Sequence, residues 1–383
     1  MASPLALQIV SFDWPWPPTY GGVIDVYYRI DSLLAGGVAV DLHVVAGPTP
    51  AARMPAHWDT PLLRVFAYER RGWTSAIGRR PFIVASRDVA RLLPSLAAGP
   101  PVILYEGIHT TATLAHPRLG SHAQWVRVHN VEADYYAQLA ESASGWRRRY
   151  FREEARRLRS YEPRVLAQAD LLLPISARDE GYCTDLAPER TLVHGPYASP
   201  EAVSSRLGRG EYVLFHAGLH VRDNEAAART VADRVAALDG VELVVAGRSP
   251  SAGLRAYLAS LPRVRLEPDP PVRRMHELIE QAQVVALHAH HAAGFKIKLV
   301  ESLARGRFVL ANGAMVAGAP GLRTGVDVYD EPRAWSAALK ALMARPFTTT
   351  DLAQREKQLA GRLRGELVRA LTERLADATF RTN

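Results

Sequence analysis

The chain has 383 residues, 48% of them hydrophobic, more than one Rossmann-sized unit needs to build its core, so two domains are expected. Its single cysteine, Cys183, excludes an intramolecular disulfide and a cysteine-based zinc site and fits a reducing compartment. A net charge of +8 suits an anionic partner without choosing among nucleotide, phosphorylated lipid, acidic membrane surface and nucleic acid. The opening MASPLALQIV lacks the basic stretch of a leader, and no apolar run approaches the ~18 residues of a membrane span, so a soluble, cytoplasmic protein is expected.

In chain order, LALQIVSF (residues 5–12) reads as a buried strand, the Pro-rich DWPWPPTYGG as a loop, and VIDVYYRIDSLLAGG as a helix closed by Gly36 and Gly37. Strands follow at VAVDLHVV, LLRVFAY, PVILYE, QWVRVHN and DLLLPIS, with helical segments such as FIVASRDVARLLPSL between them. After the Pro-, Gly- and Ser-rich stretch 194–212, where periodicity is lost, the pattern resumes with strands YVLFHAG, VELVVAG, RVRLEP, QVVALHAH and RFVLANG and helices NEAAARTVADRVAALDG and VRRMHELIEQA. Strands apolar on both faces, alternating with helices, predict an α/β protein with two doubly wound parallel sheets. The expected division is residues 1–200, 201–350 and a helical segment 351–383 that packs back across the domains.

One stretch combines burial with charge. GFKIKLVESLARGRFVLANG (294–313) follows the strand QVVALHAH and places Lys296, Lys298 and Glu301 at the start of a helix that ends at Gly306. In a parallel sheet this is the carboxyl edge, where ligands bind, next to a helix N-terminus that favours a phosphate. Lys298 and Glu301 are three apart, so by themselves they read equally well as a surface ion pair worth a few tenths of a kcal/mol.

That stretch resembles the Gly-x-Lys-x-Lys-x-x-Glu-(Ala/Ser)-Leu-Ala-x-Gly segment of the GT-B nucleotide-sugar glycosyltransferases of family four, of the bacterial glycan-assembly type. The resemblance extends over nearly the whole chain. FDWPWPPTYGG is similar to the family's Pro-x-x-Gly-Gly loop, with Gly21 and Gly22 near the donor phosphates. RVHNVEADYY resembles its Arg-x-His-Asn-x-Glu segment, and FHAGLHVRDNEAAA the first strand and loop of the donor domain, with Gly218 and Arg222. It implies a GT-B fold of two Rossmann-like domains facing a cleft, the second binding a nucleotide-sugar donor and the first a glycan or lipid-linked acceptor. Lys298 would hold the diphosphate, with Gly294 and Lys296 beside it, and the Glu301 carboxylate would accept from both ribose hydroxyls. Transfer with retention, no metal and no other cofactor is implied. Catalysis would rest on Lys298, Arg222 and helix N-termini stabilising the departing diphosphate.

Other positions are read from their place at strand ends. His109, after PVILYE, is expected to face the donor as a catalytic residue, or else to be a loop histidine with a structural hydrogen bond. His129, Asn130 and Glu132 would serve the acceptor side, and Arg248 would reach base or phosphate. The family's first glutamate, eight residues before Glu301, is Ala293 here, and Phe308 stands where proline is usual. Ala293 keeps open an inactive nucleotide-sugar-binding or scaffolding protein, and an epimerase or hydrolase on the same plan. His288, His290 and His291 have no carboxylate or cysteine partner in view, so no metal is assigned. The Arg-rich helix 145–165, with Trp146, Tyr150 and Phe151, reads as a solvated face or a contact with anionic membrane, and no nucleic-acid module accompanies it. No G-x-G-x-x-G supports a nicotinamide enzyme.

Overall fold

The computed structural model describes residues 5–19, 21–72, 78–197, 200–291, 297–317 and 319–382, and all of their side chains except those of 177, 178, 320, 381 and 382. The chain divides into two compact units, residues 1–198 together with 364–383, and residues 199–363.

In the first unit, strands β1 (Ala6–Ser11), β2 (Ala39–Ala46), β3 (Leu63–Glu69), β4 (Val102–Glu106), β5 (Ala123–Val128) and β6 (Leu171–Pro174) form a parallel sheet in the order β3-β2-β1-β4-β5-β6. Strands β1, β2, β4 and β5 are buried along almost their whole length, which is why they read as continuous apolar runs rather than alternating ones. The helices are α1 (Gly21–Ala35), α2 (Phe82–Ala85), α3 (Leu92–Ala97), α4 (Glu132–Ser142), α5 (Gly145–Leu166) and α6 (Ala177–Leu186). The segment expected as one helix over 82–96 is two short ones. Arg87, 7% exposed, ends α2 by donating to the Ile83 carbonyl at 2.7 Å and turning its other nitrogens to the Phe12 carbonyl.

In the second unit, β7 (Val213–Gly218), β8 (Leu243–Arg248), β9 (Val264–Pro268), β10 (Val284–Leu287), β11 (Phe308–Ala311) and β12 (Asp327–Val328) run parallel in the order β12-β11-β10-β7-β8-β9. Around them lie α7 (Arg222–Ala236), α8 (Ala252–Ala259), α9 (Val272–Gln281), α10 (Ile297–Arg305), α11 (Gly313–Val316), α12 (Pro332–Ala344) and α13 (Thr349–Leu359). The expected strand through His290 stops at Leu287. Beyond it the Asn312 side chain takes both backbone groups of Ala289, its Oδ1 accepting from the amide at 3.1 Å and its Nδ2 donating to the carbonyl at 2.7 Å. His288 and His290 therefore lie past the end of the strand.

Each sheet, counted from its own first strand, has the order 3-2-1-4-5-6. Crossovers leave to opposite sides at β1/β4 and at β7/β10, and the crevice at such a reversal is where an open parallel sheet binds its ligand. The C-terminal helices divide between the units. α13 anchors in the second unit through Arg355, 5% exposed, which donates to the carbonyls of Leu303 and Arg307. The last helix, α14 (Arg364–Thr382), adds Leu367, Leu371 and Leu375 to the core of the first unit.

Candidate functional site

In the second unit the β7/β10 reversal brings together residues far apart in sequence. Asn224, in the first turn of α7, donates from Nδ2 to the Gly218 carbonyl at the end of β7 (3.0 Å), and its Oδ1 accepts from Lys298 Nζ at 3.2 Å. The Lys298 ammonium also lies 5.7 Å from the centroid of the Phe215 ring, so its charge is held at the strand edge by an amide oxygen and an aromatic face. Behind it, Ser302 donates to the Lys298 carbonyl (2.7 Å), and because that uses the hydroxyl hydrogen, His216 must donate from Nε2 to Ser302 Oγ (2.8 Å). Burial, only partly offset by Glu301, pushes His216 down to about 4, so the imidazole is neutral and braces the first turn of α10 against β7.

Glu301 lies one turn beyond Lys298. The two have different partners: Glu301 Oε1 is 3.1 Å from His276 Nε2 of α9 and 4.0 Å from Arg305 Nε. Burial by itself would favour the neutral acid. The His276 imidazole 3.1 Å away and the Arg305 charge outweigh it and hold the carboxyl below the usual glutamate range, so it is an acceptor-only group at neutral pH. Arg248 ends β8 directly opposite Gly218 and is exposed, and Arg222 is exposed in the first turn of α7. Gly247 permits this edge to form, since a Cβ there would lie 1.9 Å from the Ala217 carbonyl oxygen. Ala293, Gly294 and Lys296 lie outside the described residues. His288 and His290 stack edge to face at 5.0 Å, and His291 Nε2 lies 3.7 Å from Asp223.

In the first unit, Phe12, just past β1, packs against Gly22, His109 and His129. A Cβ on Gly22 would come 2.9 Å from the Phe12 ring, whose centroid is 5.2 Å from that of His109 and 5.7 Å from that of His129. The glycine pair expected in a loop is thus the first turn of α1, and the place of Gly22 is set by this close approach. Burial, with the Arg87 charge beside it, keeps His109 well below the usual imidazole range, and its Nδ1 is buried with no hydrogen-bond partner among the described residues.

His129 Nε2 bonds Glu106 Oε2 at 2.9 Å, the edge of a fully buried ion network. Arg29 donates to both Glu106 and Asp25, and Asp25 also accepts from Arg127 Nε (3.1 Å) and from the Tyr197 amide (2.6 Å). Asp25, Glu106 and His129 offer ligand atoms close enough for a cation, yet both carboxylates are already matched by the two guanidinium groups. Asn130 donates to Glu132 at 3.3 Å, and Glu132, 4% exposed, is pushed up to about 8 by burial, with Glu162 beside it. It faces the interior, next to the Glu162 carboxylate that accepts from the amides of Glu132 and Ala133.

Sequence reasoning missed Asn224, His276, His216 and Ser302 around the second-unit site and Phe12, Asp25 and Glu106 in the first. Ser302 lies in the lysine–glutamate helix itself, four residues from Lys298; the others are recruited across the fold, Asn224 from 74 residues away, and no local spacing marks them.

Residues 210–345 match the family model for glycosyl transferases of group 1. None of the curated proteins matches the sequence. Among solved structures, the sucrose-phosphate synthase of Thermosynechococcus elongatus superposes with a TM-score of 0.68 at 15% identity, over 99% of this chain and 100% of that one. The UDP-forming alpha,alpha-trehalose-phosphate synthase of Burkholderia xenovorans, solved with glucose-6-phosphate, gives 0.61 at 11% identity over 98% and 99%. WaaG, a glycosyltransferase of lipopolysaccharide biosynthesis, gives 0.59 at 12% over 96% and 99%. At these identities the likeness is one of fold, and that fold, two parallel six-stranded Rossmann-like sheets, is GT-B. The group 1 match falls within the second unit, where Lys298 and Glu301 lie, and with the shared fold it makes this chain similar to GT-B glycosyltransferases.

Proposed function

We infer that the protein transfers a sugar from a nucleotide-sugar donor to a glycan or lipid-linked glycan acceptor in polysaccharide assembly, with retention of configuration and without a metal ion. The observation that carries this reading is the convergence of Lys298, Asn224 and Gly218, with Glu301 one turn on, at the strand reversal of the group 1 domain. The departing diphosphate gains charge as the glycosidic bond breaks, and Lys298 with Arg222 stabilises it. Fixed charges of this kind are worth about 2.7–4 kcal/mol each in a barrier. Glu301 accepts from the ribose hydroxyls, Gly218 lets the phosphates approach the backbone, and Arg248 contacts base or phosphate. From the family resemblance we assign Gly21 and Gly22 to the donor phosphates and Gly294 and Lys296, which lie outside the described residues, to the same donor site. On the first unit, His109, neutral and half-buried, is the candidate to meet a reacting hydroxyl, with His129 and Asn130 for the acceptor.

Thermal shift with UDP-, GDP-, ADP- and dTDP-sugars tests the donor site. One nucleotide class is expected to stabilise the wild type by about 2.7 kcal/mol at a hundredfold excess over Kd, with Lys298→Ala abolishing the effect and Glu301→Ala reducing it by about half. No response to any donor sinks the reading.

A peripheral site of action at the inner face of the cytoplasmic membrane is supported by α5. Its exposed first turns present Trp146, 70% exposed, with Arg147, Arg148, Arg149 and Arg152. Each such arginine is worth about 1 kcal/mol at an anionic surface. Among the described residues no helix is long and apolar enough to cross a membrane. Co-sedimentation with phosphatidylglycerol vesicles, lost in Arg147→Glu/Arg148→Glu, is the expected result, and equal pelleting of wild type and variant would remove this part of the reading.

A further inference from the structure

Among the described residues, the nearest ion-pair partners of Glu301 meet one oxygen. The closest approaches are Oε1 to His276 Nε2 at 3.1 Å and Oε1 to Arg305 Nε at 4.0 Å. At 4.0 Å Arg305 contributes charge but no hydrogen bond, so His276, at 3.1 Å, is the closer partner of the carboxylate. The arrangement is not a core contact, because both side chains keep access to solvent, 29% for His276 and 26% for Glu301.

The rest of α9 does not share this task. Glu277 pairs with Arg273 and Arg274 on α9 itself, and Glu280 with Arg206 and Arg305. His276 is the α9 side chain that crosses to the ligand-bearing face of α10. A carboxylate on a free χ3 samples many planes, whereas accepting from two vicinal hydroxyls requires one plane held in advance. An imidazole N–H gripping one oxygen supplies that restraint and leaves the other oxygen open.

We propose that His276 is a positioning residue for the donor: through Oε1 it fixes the plane of the Glu301 carboxylate and leaves Oε2 for the ribose hydroxyls. The proposal rests on the donor-site reading above and adds to it a residue outside the lysine–glutamate segment, on a different helix.

The test titrates UDP, GDP and ADP, each beside its 2′,3′-dideoxy form, into the full chain by calorimetry. For the base that binds, the wild type is expected to favour the ribose form by about tenfold or more, the value of a hydrogen bond to a charged group. His276→Ala should collapse that preference to about threefold or less by weakening the ribose form alone. His276→Gln, whose amide nitrogen can reach the position of Nε2, should restore it. In a Glu301→Ala background the preference is already lost, and adding His276→Ala should change nothing further.

The pH profile separates positioning from mere support. Glu301 faces His276 of α9, His216 of β7 and Arg305 of α10. The ribose preference is present above the depressed pKa of Glu301 and lost as pH falls through it. In His276→Ala burial acts without the opposing hydrogen bond, so the loss begins at a higher pH. Should the alanine variant fail to fold, His276→Leu fills similar space without a donor and is expected to give the same collapse.

A His276→Ala protein with the wild-type preference overturns the proposal and leaves the donor site standing. So does an equal further loss in the Glu301→Ala background. If none of the nucleotides binds the wild type, the donor-site reading itself falls and the proposal with it, an outcome distinct from the first two.

Discussion

Replacing Asp25 by alanine should unsettle the first unit more than any other single carboxylate change there. The side chain is fully buried and accepts from Arg29, from Arg127 at Nε (3.1 Å) and Nη2 (3.3 Å), and from the Tyr197 amide (2.6 Å). Two guanidinium charges face two carboxylates in the wild type, Asp25 and Glu106. In Asp25→Ala they face one, buried away from bulk solvent. Breaking a buried pair in this way costs about 3–5 kcal/mol. At about 2–4 °C per kcal/mol for a unit of this size, Tm should fall by about 6–20 °C. Tryptophan fluorescence on heating reads it directly, because six of the seven tryptophans lie between residues 1 and 198 and only Trp335 lies beyond.

The cause can be separated from simple cavity formation. Asp25→Ala/Arg127→Met removes the uncompensated charge together with its partner and should recover about half of the loss or more. The Asp25 carboxyl is held far below the usual range, the Arg127 and Arg29 charges overcoming the burial penalty. Its contribution is therefore fully present above about pH 4 and lost only under strong acid, so the gap between wild type and variant should stay flat from about pH 5 to 8. A Tm within about 2 °C of the wild type, or strict additivity in the double variant, would refute this account of the network.

Two further outcomes follow from the packing and the titration. Gly247→Ala drives a methyl group into the Ala217 carbonyl and Leu219, so denaturant unfolding should show about 1–3 kcal/mol lost, with nucleotide binding weakened because Gly218 and Arg222 hang from the same strand; unchanged unfolding would contradict the close approach of β7 and β8. Burial pushes Glu132 up to about 8 and Glu162 to about 7, so the native state holds more protons than the unfolded chain above about pH 4.3, and Tm should decline as pH rises toward 8. Glu132→Gln should flatten the upper part of that decline, and a Tm profile from pH 5 to 9 identical to the wild type's would count against the buried acid pair.

The inner strands were legible because in a doubly wound sheet they are buried on both faces and read as unbroken apolar runs, whereas the edge strands β3 and β9 are partly exposed and mix charged with apolar residues. The exceptions are local. Two-residue β12 is too short to carry a period, 82–96 splits where Arg87 ends α2, and β10 stops early because Asn312 takes over the backbone of Ala289. Lys298 and Glu301 stood out as charges on a helix otherwise made for burial, whereas Glu132, read at a strand end as an acceptor-side group, turns inward to Glu162.

The amino-acid sequence alone determined the α/β class, the two-sheet plan and the position of the lysine–glutamate helix, because burial periodicity and helix phase are properties of neighbours along the chain. Only the tertiary structure decided what those charges touch. Asn224 reaches Lys298 across 74 residues, His276 meets Glu301 from another helix, and Asp25 gathers Arg127 and Tyr197 from distant segments. A partner's identity depends on which strand ends the sheet order brings together. That order is set by chain crossovers, which leave no local mark in the sequence.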